Sequence, residues 1–277
     1  MSRDRQRRKT RYSRQPGERP ASLPGAWRAA RAWLRPVGVV ARRELAGYLA
    51  TPLAVVFVVI FLAGAALATF EIGGFFARGR ADLDAFFRFH PWLYLWLAPA
   101  LAMRLWAEER RTGTVELLLT LPIGPMRAVL GKFLAAWLVI AVALALSTPI
   151  WATVAFLGDP DHGVIAAGYL ASLLLAGAYL AIGLAASAAT RSQVIAFIAG
   201  FALALALTVP GSSPVTALIA DWVPDRVVTI LGWFSLEARY SAMVRGVIDP
   251  RDVLFLLSVI AYFGGMAGLL VGRTAHR

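Results

Sequence analysis

Long apolar runs alternate with polar connections from residue 53 to the end of the chain. Six runs approach the roughly 20 residues that a helix needs to cross a hydrocarbon core about 30 Å thick. They are Leu53–Ile72, Pro91–Leu105, Phe133–Leu157, Val164–Ala189, Val194–Val209 and Val253–Gly272. Backbone groups in lipid must be paired within the segment, and no alternating strand pattern occurs. The pattern therefore predicts an all-α membrane protein with six transmembrane helices.

The second run is the shortest of the six. Phe86, Phe87 and Phe89 precede it, and we expect them to extend that helix outward.

Composition agrees with a membrane protein, since 59% of the residues are hydrophobic and the mean hydropathy is +0.66. The net charge of +12 lies in a tail and in loops rather than on one basic face, which argues against nucleic-acid binding. The chain has no cysteine, which excludes disulfides, thiolate metal sites and a cysteine nucleophile. His90, His162 and His276 lack the spacing of metal ligands.

Basic residues are unequally divided between the two sides of the predicted membrane. Of the 28 Lys and Arg residues, 21 fall on the side of the two termini and 7 on the other. The positive-inside rule therefore predicts that both termini are cytoplasmic.

The amino-terminal part divides into a basic tail and an amphipathic helix. Residues 1–36 predict a disordered cytoplasmic tail, which either attracts anionic lipid headgroups or is only a solvated extension. From residue 37 to 50, apolar positions recur at helical spacing around the charged Arg42, Arg43 and Glu44, with Tyr48 on the apolar side. This segment predicts an interfacial helix that ends at the Thr51-Pro52 break.

The connection between the second and third runs has the features of a helical hairpin. The second helix is expected to end at Gly113, and Thr114 to cap a short helix that Pro122 stops. The charged rim and leucine surface of this hairpin favour docking on a soluble partner. An ordinary solvated loop is the alternative.

The long segment Pro210–Arg251 is too polar to cross a membrane. It predicts short external helices around Val215–Trp222, Arg226–Phe234 and Leu236–Val247. They gate the outer mouth, meet a periplasmic protein or only cap the bundle.

No nucleotide-hydrolysing motif is present. A P-loop needs a glycine-rich turn followed by Lys and Ser or Thr, and the chain has only Lys9 and Lys132. Lys132 begins an apolar run, and we expect it to snorkel to the membrane interface. The chain is therefore predicted not to be an enzyme. A secondary transporter is the rival class, but the middle of each run lacks the ionisable residues that ion coupling uses; Pro99 and Pro149 predict packing or kinks.

Three separated strings resemble the permease subunits of ABC-2 type exporters, in particular their gliding-motility (GldF-like) branch. They are RRELAGYLATPLAVVF (42–57), PALAMRLWAEERRTGTVELLLTLP (99–122) and FSLEARYSAMVRGVIDPRDVLFLLS (234–258). The likeness extends from Arg42 to the carboxyl terminus, so that residues 37–277 form one transmembrane domain. The Arg-rich tail and the Arg239-Tyr240 pair, where the family has a His-aromatic pair, depart from it.

The resemblance implies a role for three sets of residues. An ATPase-coupling helix would comprise Glu108, Glu109, Arg110, Arg111, Thr112, Gly113, Thr114, Glu116 and Leu117. The connecting helix would comprise Arg42, Arg43, Glu44 and Tyr48, and an external motif Ser235, Arg245, Gly246, Asp249 and Asp252.

The resemblance also implies partners and a location. An ABC ATPase subunit would bind ATP and Mg²⁺, and this chain would bind no cofactor. A second permease copy or paralogue, a periplasmic auxiliary protein and membrane lipids complete the expected assembly in the bacterial inner membrane. The expected function is outward transport of a lipid-like or polysaccharide-like substrate; the alternative is a membrane anchor that transmits force without transport.

Overall fold

The computed structural model describes residues 26–116, 123–211, 226 and 232–274. Helices dominate these residues, and none of them forms a strand, so the all-α prediction is confirmed for this part of the chain. The helices are α1 (Ala26–Ala50), α2 (Leu53–Leu67), α3 (Asp84–Arg88), α4 (His90–Thr112), α5 (Pro125–Leu146), α6 (Pro149–Leu157), α7 (His162–Ala189), α8 (Gln193–Thr208), α9 (Leu236–Val244) and α10 (Pro250–Thr274). A π-helical turn, Ala68–Ile72, extends α2, and a 3-10 turn, Val209–Gly211, extends α8.

Within the described residues, four helical segments are long and apolar enough to cross a membrane, which makes the chain a multi-pass membrane protein. They are Leu53–Ile72, Pro125–Leu157, His162–Ala189 and Pro250–Arg273. Two further helices do not meet these requirements. Helix α8 is apolar but has only 16 residues, and α4 carries charged residues in its last turns. The count of six spans therefore stays a prediction.

The helices run back and forth between two ends of a bundle. At one end, called the α1 end, the carboxyl ends of α4, α7 and α10 meet α1 and the amino ends of α5 and α8. At the other, called the α9 end, α3 and α9 meet the carboxyl end of α8 and the amino end of α10. The amino-terminal helix and the carboxyl end of α10 thus lie at the same end.

Helix α7 lies at the centre and packs against α4, α5, α8, α9 and α10. Small residues allow its close approach to two of them. A Cβ added to Gly183 would lie 2.8 Å from the Ala102 Cβ, and one added to Gly200 would lie 3.1 Å from the Gly183 Cα. Helix–helix contact in lipid depends on such close packing rather than on a hydrophobic driving force.

The unbroken apolar run Phe133–Leu157 predicts one helix, but the structure has two. The helical segment begins at Pro125 and breaks between α5 and α6, where Pro149 stands in the first turn of α6. Proline has no N–H for the carbonyl four residues before it. That carbonyl, of Ala145, accepts a hydrogen bond from the Thr148 hydroxyl at 2.8 Å instead. The predicted kink at Pro149 is confirmed.

The expected outward extension of the second run is wrong. Phe86 and Phe87 lie in the separate helix α3 and are buried, and α4 begins at His90. Pro91 leaves the Phe87 carbonyl without its helical donor. The Tyr240 hydroxyl on α9 donates to this carbonyl at 2.7 Å. A hydrogen bond from another helix thus replaces the helical bond that is missing at the break.

Helix α1 begins at Ala26, so the expected boundary between residues 36 and 37 falls inside a helix. Val37, Val40 and Tyr48 on this helix are buried, and a Cβ on Gly131 of α5 would lie only 2.6 Å from the Val40 Cβ. Helix α1 is therefore packed on the bundle. Residues 1–25 lie outside the described part of the chain.

Candidate functional site

Gly113 ends α4, as the sequence predicts. Its φ of +74° is in the left-handed region that favours glycine, and Arg110 and Arg111 occupy the last turn before it. Cations are stabilised there by the helix dipole. Residues 114–116 then form a helical turn, and the remainder of the expected hairpin, 117–122 with Leu117, lies outside the described residues.

A buried charge cluster joins α1, α4 and α5 at the α1 end. The Lys132 Nζ lies 2.9 Å from the Glu44 Oε1 and 2.9 Å from the Glu109 Oε1, and 5.2 Å from the centroid of the Trp106 ring. The Lys132 side chain is 2% exposed. We call Glu44, Glu109 and Lys132 the charge cluster.

The expectation that Lys132 snorkels to the interface is wrong. A buried ammonium group is tolerated only when it is paired and hydrogen-bonded. Two carboxylates from helices distant in sequence provide that pairing, so the side chain has no need to reach water.

Other residues at the end of α4 contact further helices. Glu108 accepts a hydrogen bond from Gln193 at the start of α8 and forms an ion pair with Arg111. Arg110 donates to the Leu270 carbonyl of α10 at 3.1 Å. Through these bonds and the charge cluster, the last turn of α4 is connected to α1, α5, α8 and α10.

Ser187 connects α7 to the same part of α4. Its Oγ donates to the Met103 carbonyl at 2.8 Å and accepts from the amides of Trp106 and Ala107, both at 3.1 Å. A side chain inserted beside the backbone ladder in this way fixes the position of one helix against the other.

We expect Ser187→Ala to lower the free energy of unfolding by about 1–3 kcal/mol, because three hydrogen bonds between α7 and the α4 backbone are lost. The shift in the unfolding midpoint in detergent micelles measures it, with tryptophan fluorescence as the signal. Ser258→Ala is the matched control, since the exposed Ser258 hydroxyl donates only to the Phe255 carbonyl of its own helix. Equal midpoints for the two variants would refute the expected role of Ser187.

The expected coupling region divides into an exposed part and a partly buried part. Arg111, Thr112, Gly113, Thr114 and Glu116 are exposed, whereas Glu108, Glu109 and Arg110 are partly buried. Val115 is buried and anchors the turn. On α1, Arg42 and Arg43 are exposed, while Glu44 joins the charge cluster and Tyr48 is buried.

The five residues expected in an external motif lie at the α9 end. Buried Ser235 caps α9 by accepting from the Ala238 amide at 3.3 Å and donates to the Thr208 carbonyl at 3.1 Å. Asp252 pairs with Arg239 at 2.9 Å, which gives the unexpected Arg239 a packing role.

The remaining three members of this motif shape the turn between α9 and α10. Asp249 accepts from the Arg251 amide at 2.8 Å. Gly246 has a φ of +87° and lies against Val164, and Arg245 is exposed. The expected helices Val215–Trp222 and most of Arg226–Phe234 lie outside the described residues.

Within the described residues, His, Asp and Glu form no group that could hold a metal ion. Three residues of the α1 end were missed in the sequence: Lys132 as a buried ion, Ser187 and Gln193. The sequence signal for the buried ion is Lys132 itself, because it is one of only two lysines in the chain and stands at the start of an apolar run.

Comparison with known proteins gave one family. A family model described as "ABC-2 family transporter protein" matches residues 65–247, which is more than half of the chain. No curated protein matches. The matched residues include the end of α4, Lys132, Ser187 and the first part of the turn between α9 and α10.

Proposed function

Because the chain belongs to the ABC-2 transporter family and is a membrane permease component, we propose that it couples ATP hydrolysis on a separate ATPase subunit to outward movement of a substrate. ATP and Mg²⁺ are bound by that partner, and this chain contributes the pathway through the membrane. Two permease subunits, either two copies or two related chains, form the pathway between them.

The observation that carries the proposal is the set of bonds around the end of α4. Apart from the buried Val115, the turn 111–116 is exposed, yet it follows directly on residues that contact α1, α5, α8 and α10. A displacement of this turn by a docked partner is therefore transmitted to four other helices. Such discrete polar contacts between rigid helices give a physical route for coupling.

The α1 end faces the cytoplasm in this proposal. The excess of Lys and Arg on that side supports the orientation, since 21 of the 28 basic residues fall there in the six-span arrangement. ATP is cytoplasmic, so the exposed turn is then available to the ATPase. In a bacterial inner membrane the α9 end would face the periplasm, where the turn around Arg245 is open to an auxiliary protein.

The narrower assignment to the gliding-motility branch stays a prediction, because the matched family is ABC-2 as a whole. The substrate class also stays a prediction. Apolar helices are compatible with a lipid-like substrate and do not require one.

Single-cysteine variants test the proposed docking, since the natural chain has no cysteine. With the partner ATPase, we expect Thr114→Cys to form cross-links through a bifunctional maleimide-to-amine reagent. Gly79→Cys is the control, because Gly79 is equally exposed and lies in the turn that leads to α3 at the α9 end. Only the first variant should give a product of the combined mass.

Two outcomes would contradict the proposal. Cross-linking from Gly79→Cys alone would place the ATPase at the α9 end. A purified complex that hydrolyses ATP while neither variant is cross-linked would place the ATPase away from the turn.

A further inference from the structure

A cavity of about 310 Å³ opens at the α1 end between α1 and the last turns of α4. The charge cluster borders it, and Leu53 and Leu105 add apolar surface. Leu53 is also the first residue of α2, the first apolar helix. The cavity therefore lies where a membrane protein passes from polar surface into hydrocarbon, at the depth of lipid headgroups.

Two arginines from different helices line this cavity. Arg43 of α1 and Arg104 of α4 are both exposed, and within the described residues neither has a hydrogen bond or an ion pair. Two guanidinium groups that converge on one cavity are a typical arrangement for a phosphate group.

Three acidic residues also line the cavity, Glu44, Glu108 and Glu109. Glu108 is already paired with Arg111 and Gln193. Glu44, Glu109 and Lys132 carry a formal charge of −1 in total, because one ammonium group is shared by two carboxylates. The Glu109 Oε2 and the Tyr48 hydroxyl are buried and have no hydrogen-bond partner among the described residues. Tyr48 is only 7% exposed. Buried oxygens without a partner are rare, and here they indicate a missing donor.

Tyr48 lies in the cavity lining together with an acidic residue, Glu44, and a basic residue, Arg104. Burial and the nearby Glu44 raise the pKa of the Tyr48 phenol, and Arg104 opposes that rise. A ligand that fills the cavity therefore meets both signs of charge.

We propose that this cavity binds the phosphoethanolamine headgroup of one phospholipid from the adjoining leaflet. The phosphate lies between Arg43 and Arg104, and the ammonium group donates to the Glu109 Oε2 and the Tyr48 hydroxyl. Both oxygens are buried, so the Tyr48 and Glu109 side chains must shift when the ammonium group binds. Because terminal carboxylate torsions are soft, a small rotation of Glu109 presents the second oxygen to the ligand.

The chemistry distinguishes this headgroup from the other common ones. Phosphatidylcholine has a quaternary ammonium group without an N–H donor, and phosphatidylglycerol has no cation to balance the cluster. Free phosphoethanolamine shares the recognised groups, but Leu53 and Leu105 favour a ligand that carries acyl chains. The bound lipid would connect α1 to α4 beside Lys132.

Native mass spectrometry of the full-length, delipidated protein tests the proposal. The protein is titrated with phosphatidylethanolamine, phosphatidylcholine and phosphatidylglycerol of the same acyl chains. We expect one saturable site for phosphatidylethanolamine, with an occupancy at least fivefold higher than that of either other lipid. Glycerophosphoethanolamine, the water-soluble equivalent, should not displace it at equal concentration. This measurement needs no ATPase, so its result is independent of the proposed transport function.

Variants locate the site. The double variant Arg43→Gln/Arg104→Gln should lower occupancy by phosphatidylethanolamine about tenfold, and Tyr48→Phe should reduce the preference over phosphatidylcholine. Arg42→Gln is the matched control, because Arg42 is exposed next to Arg43 but does not line the cavity. Equal binding of all three lipids, preferred binding of phosphatidylglycerol, displacement by the soluble compound or an unaffected double variant would each overturn the proposal.

Discussion

Replacing Lys132 with methionine is expected to lower the free energy of unfolding by about 3–5 kcal/mol. The ammonium group is 2% exposed and holds the carboxylates of Glu44 and Glu109, each at 2.9 Å. Methionine fills a similar volume but leaves two largely buried carboxylates, 17% and 14% exposed, facing each other without a cation. The midpoint of chemical unfolding in detergent micelles measures the loss.

Two further variants separate charge from packing. The neutral triple variant Glu44→Gln/Lys132→Met/Glu109→Gln should recover most of the stability, because it removes all three charges of the cluster together. Arg111→Met breaks only the exposed ion pair with Glu108, so its effect should stay below about 1 kcal/mol. If Lys132→Met is no more destabilising than Arg111→Met, the charge cluster has no structural importance.

Gly113→Val is expected to reduce permease-dependent ATP hydrolysis by the partner about tenfold. Valine in the left-handed region costs about 1–2 kcal/mol, and the chain relieves that strain by moving the turn 114–116. A loss of about 1.4 kcal/mol in docking corresponds to a tenfold change. Among the described residues, nothing lies within 4 Å of a Cβ at this position, so we attribute the effect to the backbone conformation. Hydrolysis by the reconstituted complex in nanodiscs is the measurement.

The chain contains a close control for this substitution. Gly79 has a φ of +60° and equally open surroundings, but it lies at the α9 end. Gly79→Val imposes similar strain and should leave hydrolysis unchanged, and Gly113→Asn should retain activity because asparagine tolerates the left-handed region. Equal losses for Gly113→Val and Gly79→Val would indicate general destabilisation and would contradict docking at the α4 turn.

Several local features of the fold could be predicted from residues close together in sequence. Gly113 ends α4 because glycine alone adopts its φ without strain, and Pro149 breaks the third run because it lacks an N–H. The apolar runs locate the long helices because the hydrocarbon core sets their length. Each of these inferences depends on the residue itself or on neighbours within one or two turns.

The start of α4 could not be predicted in the same way. Pro91 marks a break, but the sequence does not reveal which group satisfies the Phe87 carbonyl. Tyr240 does so from 153 residues away. The aromatic stretch before Pro91 consequently folds inward as α3 instead of extending the helix.

The sequence by itself determined the helical class, the membrane setting, several helix ends and the string that marks the α4 turn. Only the tertiary structure decided that Glu109 faces inward to Lys132, that Glu44 completes the cluster and that Ser187 binds the α4 backbone. The physical reason is the range of the interactions. Helix periodicity, caps and prolines act over a few residues, whereas burial of a charge depends on partners that only helix packing brings together.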